Sequence, residues 1–395
     1  MNKSSNSMKI LMLLDNDYPK DERVEKEAKS LVEAGHSVTI LSTNFKKRSP
    51  KATIHGVKII RINISKKLKD RLHPFTAAFP FYTKIWSNYV LELLTSNDFD
   101  VLHCHDLPLC SVGHEIKKRI PRIKFIADLH ENFPNLIAGM SYMSNPLIRY
   151  FVNIPKWYSK ETLWLNNCDG LIVTASGMKS RLETSGIFNA NWSIIENTIQ
   201  LDDFIESSEK PDKNHITLFY SGGITVHRGL QYALQGYHLL KNDFPNLRFW
   251  IVGAGKYEQT LKLQVAKNNI KDVVFWGWKT QEEMFEIMQK SDVGIIPHLR
   301  SEHTNNTSPN KIFHYFRAKK PVLVSDCDYL VEKVKETNAG LYYTDRSPES
   351  FADNLSKLIH NRPTTSYGLN GYNAVMNKYN WKVTSKELLS LYQRL

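Results

Sequence analysis

Short apolar runs alternate with stretches of helical spacing along most of the chain. Lys9–Leu14 is a buried-strand pattern, Asp21–Ala34 has apolar residues at helical spacing, and Gly35 follows where a helix C-cap glycine belongs. This alternation predicts parallel sheets with helices on both faces. The predicted strands are Lys9–Leu14, Ser37–Ser42, Val57–Ile62, Val101–Cys104, Lys124–Ala127, Gly170–Thr174, Ile216–Tyr220, Arg248–Val252, Val273–Phe275, Val293–Ile296, Pro321–Ser325 and Leu341–Tyr343.

A polar stretch, Glu196–His215, interrupts the alternation and is typical of a linker. The pattern therefore predicts two doubly wound, Rossmann-like α/β domains that face a cleft. Ligands of such open sheets bind at the carboxyl ends of the strands. We expect a first domain over residues 1–197, a second over 198–378 and a closing helical segment over 379–395.

Composition excludes several classes of protein. The 395 residues are 42% hydrophobic and 23% charged, which is typical of a globular protein. No apolar run approaches the ~20 residues of a membrane-spanning helix, and the first residues lack the apolar core of a signal peptide. We therefore expect a cytoplasmic protein. The scattered cysteines argue against a zinc site and a disulfide framework; they are Cys104, Cys110, Cys168 and Cys327.

The net charge of +12 is concentrated in one segment, Lys46–Arg71, which has ten basic residues and one acid. Aromatic residues follow between Phe75 and Val90, and from Phe81 on their spacing suits one face of a helix. A basic segment beside exposed aromatics predicts peripheral attachment to an anionic inner membrane face, whereas a core-facing helix is the ordinary alternative. No nucleic-acid-binding signature accompanies the charge, so no nucleic acid is expected as a partner.

Polar residues follow three predicted strands of the first half. These groups are Asp15–Asp17, His103 to Asp106, and Asp128 to Asn132. Because the strand ends share one edge of the sheet, we expect the groups to form a functional rim. Histidine beside carboxylates can orient a sugar hydroxyl or relay a proton.

The second half has three candidate phosphate contacts at successive strand ends. Gly222 and Gly223 precede Arg228, a second loop carries Gly253 and Gly255, and Asn310-Lys311 opens a helix. None of them matches a Walker A or dinucleotide motif. Two Asp-x-Asp pairs, at 98–100 and 326–328, are best explained as turn acids. We predict no required metal, with basic residues neutralising the leaving group instead.

Taken in order, these motifs resemble the group 1 (family 4) retaining glycosyltransferases, which have the GT-B fold. The resemblance runs nearly end to end, and the order of the motifs is its most specific feature. The segments that carry it are Asp21–Ala28, Gly35–Val38, His103–Leu107, Asp128–Pro134, Tyr220–Gly229, Ile251–Gly255, Val274–Gly277, Asn310–Val322 and Tyr379–Trp381.

The resemblance implies a retaining transferase that takes a sugar from a nucleoside diphosphate sugar and needs no other cofactor. It implies a glycan or lipid-linked acceptor, a role in cell-surface polysaccharide assembly such as lipopolysaccharide or capsule, and a final helix that crosses back to the first domain. It implies catalytic roles for His130 and Asp128. The implied acceptor side comprises Arg23, His105, Asp106 and Glu131, and the implied donor site Gly222, Gly223, Arg228, Gly253, Gly255, Trp276, Gly277, Asn310, Lys311 and His314.

One motif departs from the family pattern. Many members carry two glutamates with seven residues between them in the second domain, where this chain has Asn306 and His314. This difference keeps a catalytically impaired, glycan- or nucleotide-binding relative open as an alternative. A sugar-nucleotide epimerase on the same architecture is a further alternative, because the fold alone does not determine the reaction.

Overall fold

The computed structural model describes residues 7–19, 21–202, 211–361 and 366–395. The chain divides into two compact units. The first unit comprises residues 1–196 and 384–395, and the second comprises residues 197–383. The linker prediction falls partly outside the described residues, since 203–210 are not among them.

The first unit is built on an eight-stranded sheet in the order β3-β4-β2-β1-β5-β6-β7-β8. Every pairing is parallel except the antiparallel pair β3–β4. The strands are β1 Lys9–Asp17, β2 Ser37–Thr43, β3 Lys51–Ile54, β4 Val57–Ile62, β5 Val101–His105, β6 Lys124–Leu129, β7 Gly170–Val173 and β8 Trp192–Ile194.

Helices cover this sheet, and their apolar residues pack against the strands in one hydrophobic core. The first helix begins where the Asp21 side chain accepts from the Val24 backbone N–H, and it ends before Gly35, which has a positive φ of 94°. The helices are α1 Glu22–Glu33, α2 Lys66–Leu72, α3 Phe81–Ser96, α4 Leu107–Arg119, α5 Phe133–Ala138, α6 Pro146–Val152, α7 Ile154–Leu165 and α8 Ser176–Thr184.

The second unit has a six-stranded sheet, wholly parallel, in the order β11-β10-β9-β12-β13-β14. Its strands are β9 Ile216–Ser221, β10 Leu247–Val252, β11 Val273–Gly277, β12 Val293–Ile296, β13 Val322–Ser325 and β14 Gly340–Tyr343. Its helices are α9 Leu230–Leu239, α10 Glu258–Lys267, α11 Gln281–Gln289, α12 Glu302–Asn305, α13 Lys311–Arg317, α14 Asp328–Thr337, α15 Pro348–His360 and α16 Ser366–Asn377.

The last helix, α17 (Trp381–Gln393), spans the boundary of the two units, and its residues from Thr384 onward belong to the first. Within the first unit the Tyr392 hydroxyl lies 2.9 Å from His103 Nδ1, and Leu391 packs against Gly170. The sequence placed the domain boundaries after residues 197 and 378, whereas the compact units divide after 196 and 383.

The predicted α/β class, with two parallel sheets, is confirmed. The strand ends differ, however, since β1, β5 and β6 extend through Asp17, His105 and Leu129. Asp15, His105 and Asp128 therefore lie inside hydrogen-bonded strands and not in the loops after them. Groups in a sheet are held more rigidly than groups in loops.

The basic segment is only partly a solvated surface. Arg61 is buried and donates to the carbonyls of Tyr18 and Ser49, and Arg48 donates to Tyr18 and Pro19. Lys69 donates to the backbone carbonyl of Asp15. These three cations stabilise the fold. The exposed ones are Lys46, Lys47, Lys51, Lys58, Lys66, Lys67 and Arg71.

The structure also corrects the prediction that the aromatic residues after this segment are exposed. Tyr82, Trp86 and Val90, four residues apart on α3, are buried in the core. Phe79 and Phe81 are exposed, and Phe75, Ile85 and Tyr89 are partly buried. The ordinary core-facing explanation therefore holds for most of α3. In the described part of the chain, no helix is long and apolar enough to span a bilayer.

Candidate active site

Adjacent strands β5 and β6 bring the histidines of the first unit together. His105 is paired with Asp128 in the parallel register, and His103 lies two residues earlier on the same face of the sheet. All three side chains are buried. The Asp128 carboxylate lies 3.4 Å from a ring nitrogen of each histidine.

Arg23, from α1, supplies the positive charge that this buried carboxylate needs. Its Nη2 donates to Asp128 Oδ1 at 2.9 Å, its Nε lies 3.1 Å from Glu27 Oε1, and its Nη1 donates to the Ile195 carbonyl. Burial raises the pKa of Asp128, but Arg23 and His130 hold it well below its usual range. Burial together with Asp128 raises the pKa of Glu27 well above its usual range, which favours a neutral Glu27 beside an ionised Asp128.

His130 follows β6 and lies between two carboxylates. Its Nε2 is 3.7 Å from Asp128 Oδ2, and its Nδ1 is 3.7 Å from Asp106 Oδ1. Burial lowers the pKa of His130, but Asp106 and Asp128 outweigh it and raise this pKa to about 10. This pKa favours a protonated His130 at neutral pH. Both carboxylates lie beyond hydrogen-bond distance, whereas His130 Nε2 lies 3.3 Å from His105 Nδ1 and can donate to it.

Asp106 has a strained backbone, with a φ of 67° and a ψ of 150°. Its backbone N–H donates to the Asp128 carbonyl, which holds the residue in this conformation beside His130. A non-glycine residue in this region costs of order 1–3 kcal/mol and concentrates at functional sites.

A cavity of about 220 Å³ opens beside this cluster. His105, Asp106 and Glu131, three of the four predicted acceptor-side residues, line it. Arg23 is not among its lining residues, and its buried position fits a role in holding Asp128. One part of the wall is apolar, with Pro108, Leu109, Phe133, Leu136, Ile137 and Met140 among its residues.

The sequence missed two residues of this cavity, Lys69 and His73. Lys69 Nζ lies 3.5 Å from Asp15 Oδ2, and His73 Nε2 lies 3.3 Å from the same oxygen. Burial raises the pKa of Asp15 to about 6 and lowers that of His73 to about 3. The trio offers donors and an acceptor for a hydroxyl. No motif indicated it, because Lys69 and His73 come from α2 and the turn after it, outside the strand ends.

Four groups of the first unit meet the distance requirement of a metal site: Glu27, His103, His105 and Asp128. Their chemistry does not favour one. The Arg23 guanidinium contacts both carboxylates and so fills the position that a metal cation would need. These residues are better described as an ion-pair network.

In the second unit, Lys311 and Arg228 are the central cations. The Lys311 ammonium is buried and has no hydrogen-bond partner among the described residues. It lies 4.3 Å from the centre of the Tyr220 ring, and a Cβ on Gly222 would meet it at 2.7 Å. Burial, reinforced by Arg228, lowers the pKa of Lys311 well below its usual range.

Arg228 is oriented by His298, which the sequence also missed. Arg228 Nη1 lies 2.9 Å from His298 Nε2, so the guanidinium donates to a neutral imidazole. Burial, Arg228 and Lys311 lower the pKa of His298 well below its usual range. His298 follows β12 after Pro297. Its position as a polar residue just after a predicted strand is the sequence feature that could have indicated it.

The glycine loops pack on each other through their backbones. A Cβ on Gly253, whose φ is 134°, would lie 1.9 Å from the Gly222 carbonyl oxygen. The Gly253 N–H donates to the Gly277 carbonyl, which joins the end of β11 to these two glycine loops. A Cβ on Gly223 would meet no atom within 4 Å. Gly253 is therefore required for packing, whereas Gly223 faces open space beside the cations.

Of the other predicted donor residues, Asn310 and His314 flank Lys311 on α13, and Trp276 lies on β11. The His314 ring packs edge to face on Phe285, with the ring centres 5.2 Å apart. Trp276, on the edge strand β11, packs edge to face on Trp250. Asn306 is buried and donates to the Glu302 carbonyl, and Asn310 is exposed at the start of α13. Their contacts to a donor stay predictions.

Two family descriptions match this chain. "Glycosyltransferase Family 4" matches residues 23–203, and "Glycosyl transferases group 1" matches residues 215–361. A curated relative from Methanocaldococcus jannaschii, an uncharacterised glycosyltransferase, is 22% identical over 382 residues, which cover 93% of this chain and 92% of the relative.

Solved structures share the fold at low sequence identity. Sucrose-phosphate synthase from Thermosynechococcus elongatus has a TM-score of 0.78 at 14% identity and covers 98% of both chains. The Anabaena protein HepE, solved in complex with UDP, has a TM-score of 0.72 at 13% identity and covers 98% of this chain and 100% of its own.

Proposed function

Because the chain belongs to the group 1 (family 4) glycosyltransferases, which have the GT-B fold, we propose that it is a retaining enzyme whose donor is a nucleoside diphosphate sugar. The observation that carries this proposal is the buried Lys311 ammonium. It has no hydrogen-bond partner among the described residues, and Arg228 lies near enough to lower its pKa. A buried unpaired charge is costly, so the site favours an anion that pairs with it.

A diphosphate is the anion that this arrangement suits best. Lys311 provides a point charge, and Arg228 provides a planar fork of donors. The small residues Gly222 and Gly223 leave the backbone accessible. HepE, of the same fold, was solved with UDP, which supports a nucleoside diphosphate as the ligand here. The two cations would stabilise the charge that develops on the leaving diphosphate, without a required metal.

The first unit supplies the residues for the transferred sugar and the acceptor. His130, kept protonated by Asp106 and Asp128, can donate to a hydroxyl of the sugar. Asp128 acts on His130 as a positioning group, because it is fully buried. In the proposed step the acceptor oxygen bonds to the anomeric carbon on the face that the diphosphate leaves. The C1–O bond to phosphate breaks, and the acceptor proton passes to the departing phosphate oxygen.

The cavity of about 220 Å³ fits this assignment of the acceptor. It is smaller than the ~300–1,000 Å³ of pockets for drug-sized ligands, so it suits one sugar ring. Asp15, Lys69 and His73 offer contacts to hydroxyl groups, and the apolar wall suits the CH face of a ring. We extend the proposal to a glycan or lipid-linked acceptor used in cell-surface polysaccharide assembly, in the cytoplasm at the inner membrane face.

Donor binding is tested with a thermal-shift panel of UDP-, GDP-, ADP- and CDP-sugars, since a ligand of the native state raises its melting temperature. Proton NMR of the product's anomeric centre then reports retention or inversion. We expect one donor class to raise the melting temperature and the product to keep the donor's configuration. No shift with any donor, or an inverted product, would contradict the proposal.

The two glutamates absent at Asn306 and His314 keep a catalytically impaired relative as the second candidate. The donor panel separates the candidates. An impaired relative binds a donor and neither transfers nor hydrolyses the sugar. An epimerase converts the donor to a second nucleotide sugar in the absence of any acceptor, and a transferase releases nucleoside diphosphate faster when acceptor is present.

A further inference from the structure

A group of large apolar side chains outside the basic segment Lys46–Arg71 is exposed on the first unit. We call it the aromatic face, and it comprises Phe79, Phe81, Met140, Leu147, Tyr150 and Phe151. Tyr150 and Leu147 are 76% and 66% exposed, and Phe81 is 58% exposed. Contiguous exposed apolar groups of this kind mark a contact surface in a protein that is otherwise well packed.

Ring contacts connect four of the six side chains of the aromatic face. The ring centres of Phe79 and Phe81 are 5.9 Å apart, those of Phe79 and Phe151 are 6.3 Å apart, and those of Phe151 and Tyr150 are 5.4 Å apart. Tyr150 and Met140 line one cavity of about 610 Å³. Two separate segments of chain, one at the start of α3 and one around α6, therefore present one surface.

Charge selects the partner of this surface. Residues 71–91 and 132–160, which contain the whole aromatic face, have no aspartate or glutamate. They do carry Arg71, Lys84, Arg149, Lys156 and Lys160. Arg149 lines the same cavity as Tyr150, and the Lys156 ammonium donates to the Ala78 carbonyl beside Phe79. Glu115 lines a cavity with Phe79 and pairs with Arg119, so the surround is mainly but not wholly basic. Exposed aromatics with a mainly basic surround complement the interface of an anionic bilayer.

We propose that the aromatic face is the surface with which this protein inserts into an anionic lipid bilayer. This inference rests on the membrane attachment proposed above. It moves the membrane-binding surface from Lys46–Arg71 to the aromatic face. The exposed side chains of α6 (Pro146–Val152) would enter the headgroup region, with the basic residues above them contacting lipid phosphates. None of the residues of the aromatic face lies within Lys46–Arg71, the segment to which the sequence assigned the attachment.

The location explains how a lipid-linked acceptor would reach the first unit. Met140 lines both the cavity of about 610 Å³ and the acceptor cavity of about 220 Å³ that contains His105, Asp106 and Glu131. A protein docked through the aromatic face thus places its acceptor cavity next to the membrane surface. The acceptor's sugar could enter that cavity while its lipid remains in the bilayer.

The test is co-sedimentation of the full-length protein with phosphatidylglycerol-containing vesicles and with pure phosphatidylcholine vesicles. The aromatic-face variant carries Leu147→Ser and Tyr150→Ser. Its matched control carries Phe188→Ser and Leu263→Ser, which replace side chains that are 76% and 61% exposed. A charge variant carries Lys58→Glu, Lys66→Glu and Lys67→Glu. All of these residues are exposed, so folding should be retained, which melting curves check.

We expect the wild-type protein to bind the anionic vesicles, the aromatic-face variant to lose affinity by at least about tenfold, and the control to match wild type. An aromatic-face variant that binds as wild type does, or a control that loses as much, would overturn the inference. So would wild-type protein that ignores both vesicle types, or a loss confined to the charge variant, which would return the attachment to Lys46–Arg71.

Two parallel measurements keep the outcomes separate. Sedimentation without lipid shows whether the aromatic face joins two copies of the chain; a variant that changes the oligomeric state and still binds vesicles overturns the inference. The nucleotide-dependent thermal shift of each variant is measured as well. A protein that binds donor and ignores vesicles leaves the transferase proposal standing and removes this one.

Discussion

The two units each contain a buried cluster of charged side chains, and the clusters differ in how their charges are balanced. In the first unit Arg23 and protonated His130 face Asp128 and Asp106, so attraction is satisfied within the protein. In the second unit Arg228 and Lys311 have no carboxylate within ion-pair distance among the described residues. A balanced cluster holds geometry, whereas an unbalanced one attracts a ligand of opposite charge.

Because of this difference, removal of a cation should change the stability of the free protein in opposite directions in the two clusters. Loss of a cation from the first cluster leaves a buried carboxylate unpaired. Loss of one from the second removes an unfavourable buried charge and with it the affinity for the diphosphate. The stability of the free protein and the affinity for the donor therefore move independently, and the variants below separate them.

The largest effect is expected for Arg23→Met. Removal of the guanidinium leaves Asp128 without its closest partner, and breaking a buried ion pair costs roughly 3–5 kcal/mol of the free energy of unfolding. Urea denaturation measures this. The control is Lys29→Met on the same helix, whose pair with Glu33 is exposed and worth at most ~0.5 kcal/mol. Equal losses in the two variants would contradict the balanced cluster.

Next is Lys311→Met, which we expect to weaken donor binding by about 100-fold and to leave the free protein at least as stable as wild type. Its control is Lys320→Met. Lys320 is also buried, but its ammonium donates to the carbonyls of Gln289 and Ser291. That variant should lose stability and keep its donor affinity. Reversal of this pattern would show that Lys311 has a structural role alone.

The charge balance of the first cluster can be tested through the pH dependence of His130. Its pKa in the folded protein is about 10, above the usual 6.5 of the unfolded chain. The stabilisation is therefore complete below about pH 6.5 and is lost as the pH rises through about 10, with a slope of at most ~1.4 kcal/mol per pH unit. NMR of histidine-labelled protein should show a His130 signal that is unchanged between pH 6 and about pH 8.5 and absent in His130→Gln. A midpoint near 6.5 would contradict the assignment.

The smallest effect is expected for His298, which only orients Arg228. His298→Leu removes the acceptor at 2.9 Å and should weaken donor binding by about tenfold, since a hydrogen bond to a charged group contributes ~1.5–3 kcal/mol. His298→Gln can still accept through its amide oxygen and should restore most of the affinity. Equal affinities of the two variants would show that His298 does not hold Arg228.

Sequence patterns predicted the central strands and missed both edges of the first sheet. The missed strands are β3 (Lys51–Ile54) and β8 (Trp192–Ile194), which are the two edge strands. Edge strands are short and half exposed, so they lack the continuous apolar run that marks a buried parallel strand. The turn between β3 and β4, His55-Gly56, with φ of 48° and 80°, is the hairpin signal that could have revealed β3.

The site was predictable where its residues end strands and not where they come from elsewhere. His105, Asp106 and Glu131 were placed together correctly, because parallel strand ends share an edge. Lys69 was assigned to the basic segment predicted to bind a membrane, since the sequence does not reveal that α2 lies against Asp15. The balance of charge was likewise hidden, because Arg23 and Asp128 are 105 positions apart.

The central claim is that Lys311 binds a nucleoside diphosphate, and calorimetric titration tests it most directly. The wild-type protein and Lys311→Met are each titrated with UDP, GDP, ADP and CDP, in two buffers of different ionisation enthalpy. Burial lowers the pKa of Lys311, and a bound diphosphate should raise it. The account predicts that one nucleoside diphosphate binds wild type with uptake of protons, and that Lys311→Met loses both the affinity and the uptake. Equal binding by the two proteins, or no binding by wild type, would contradict it.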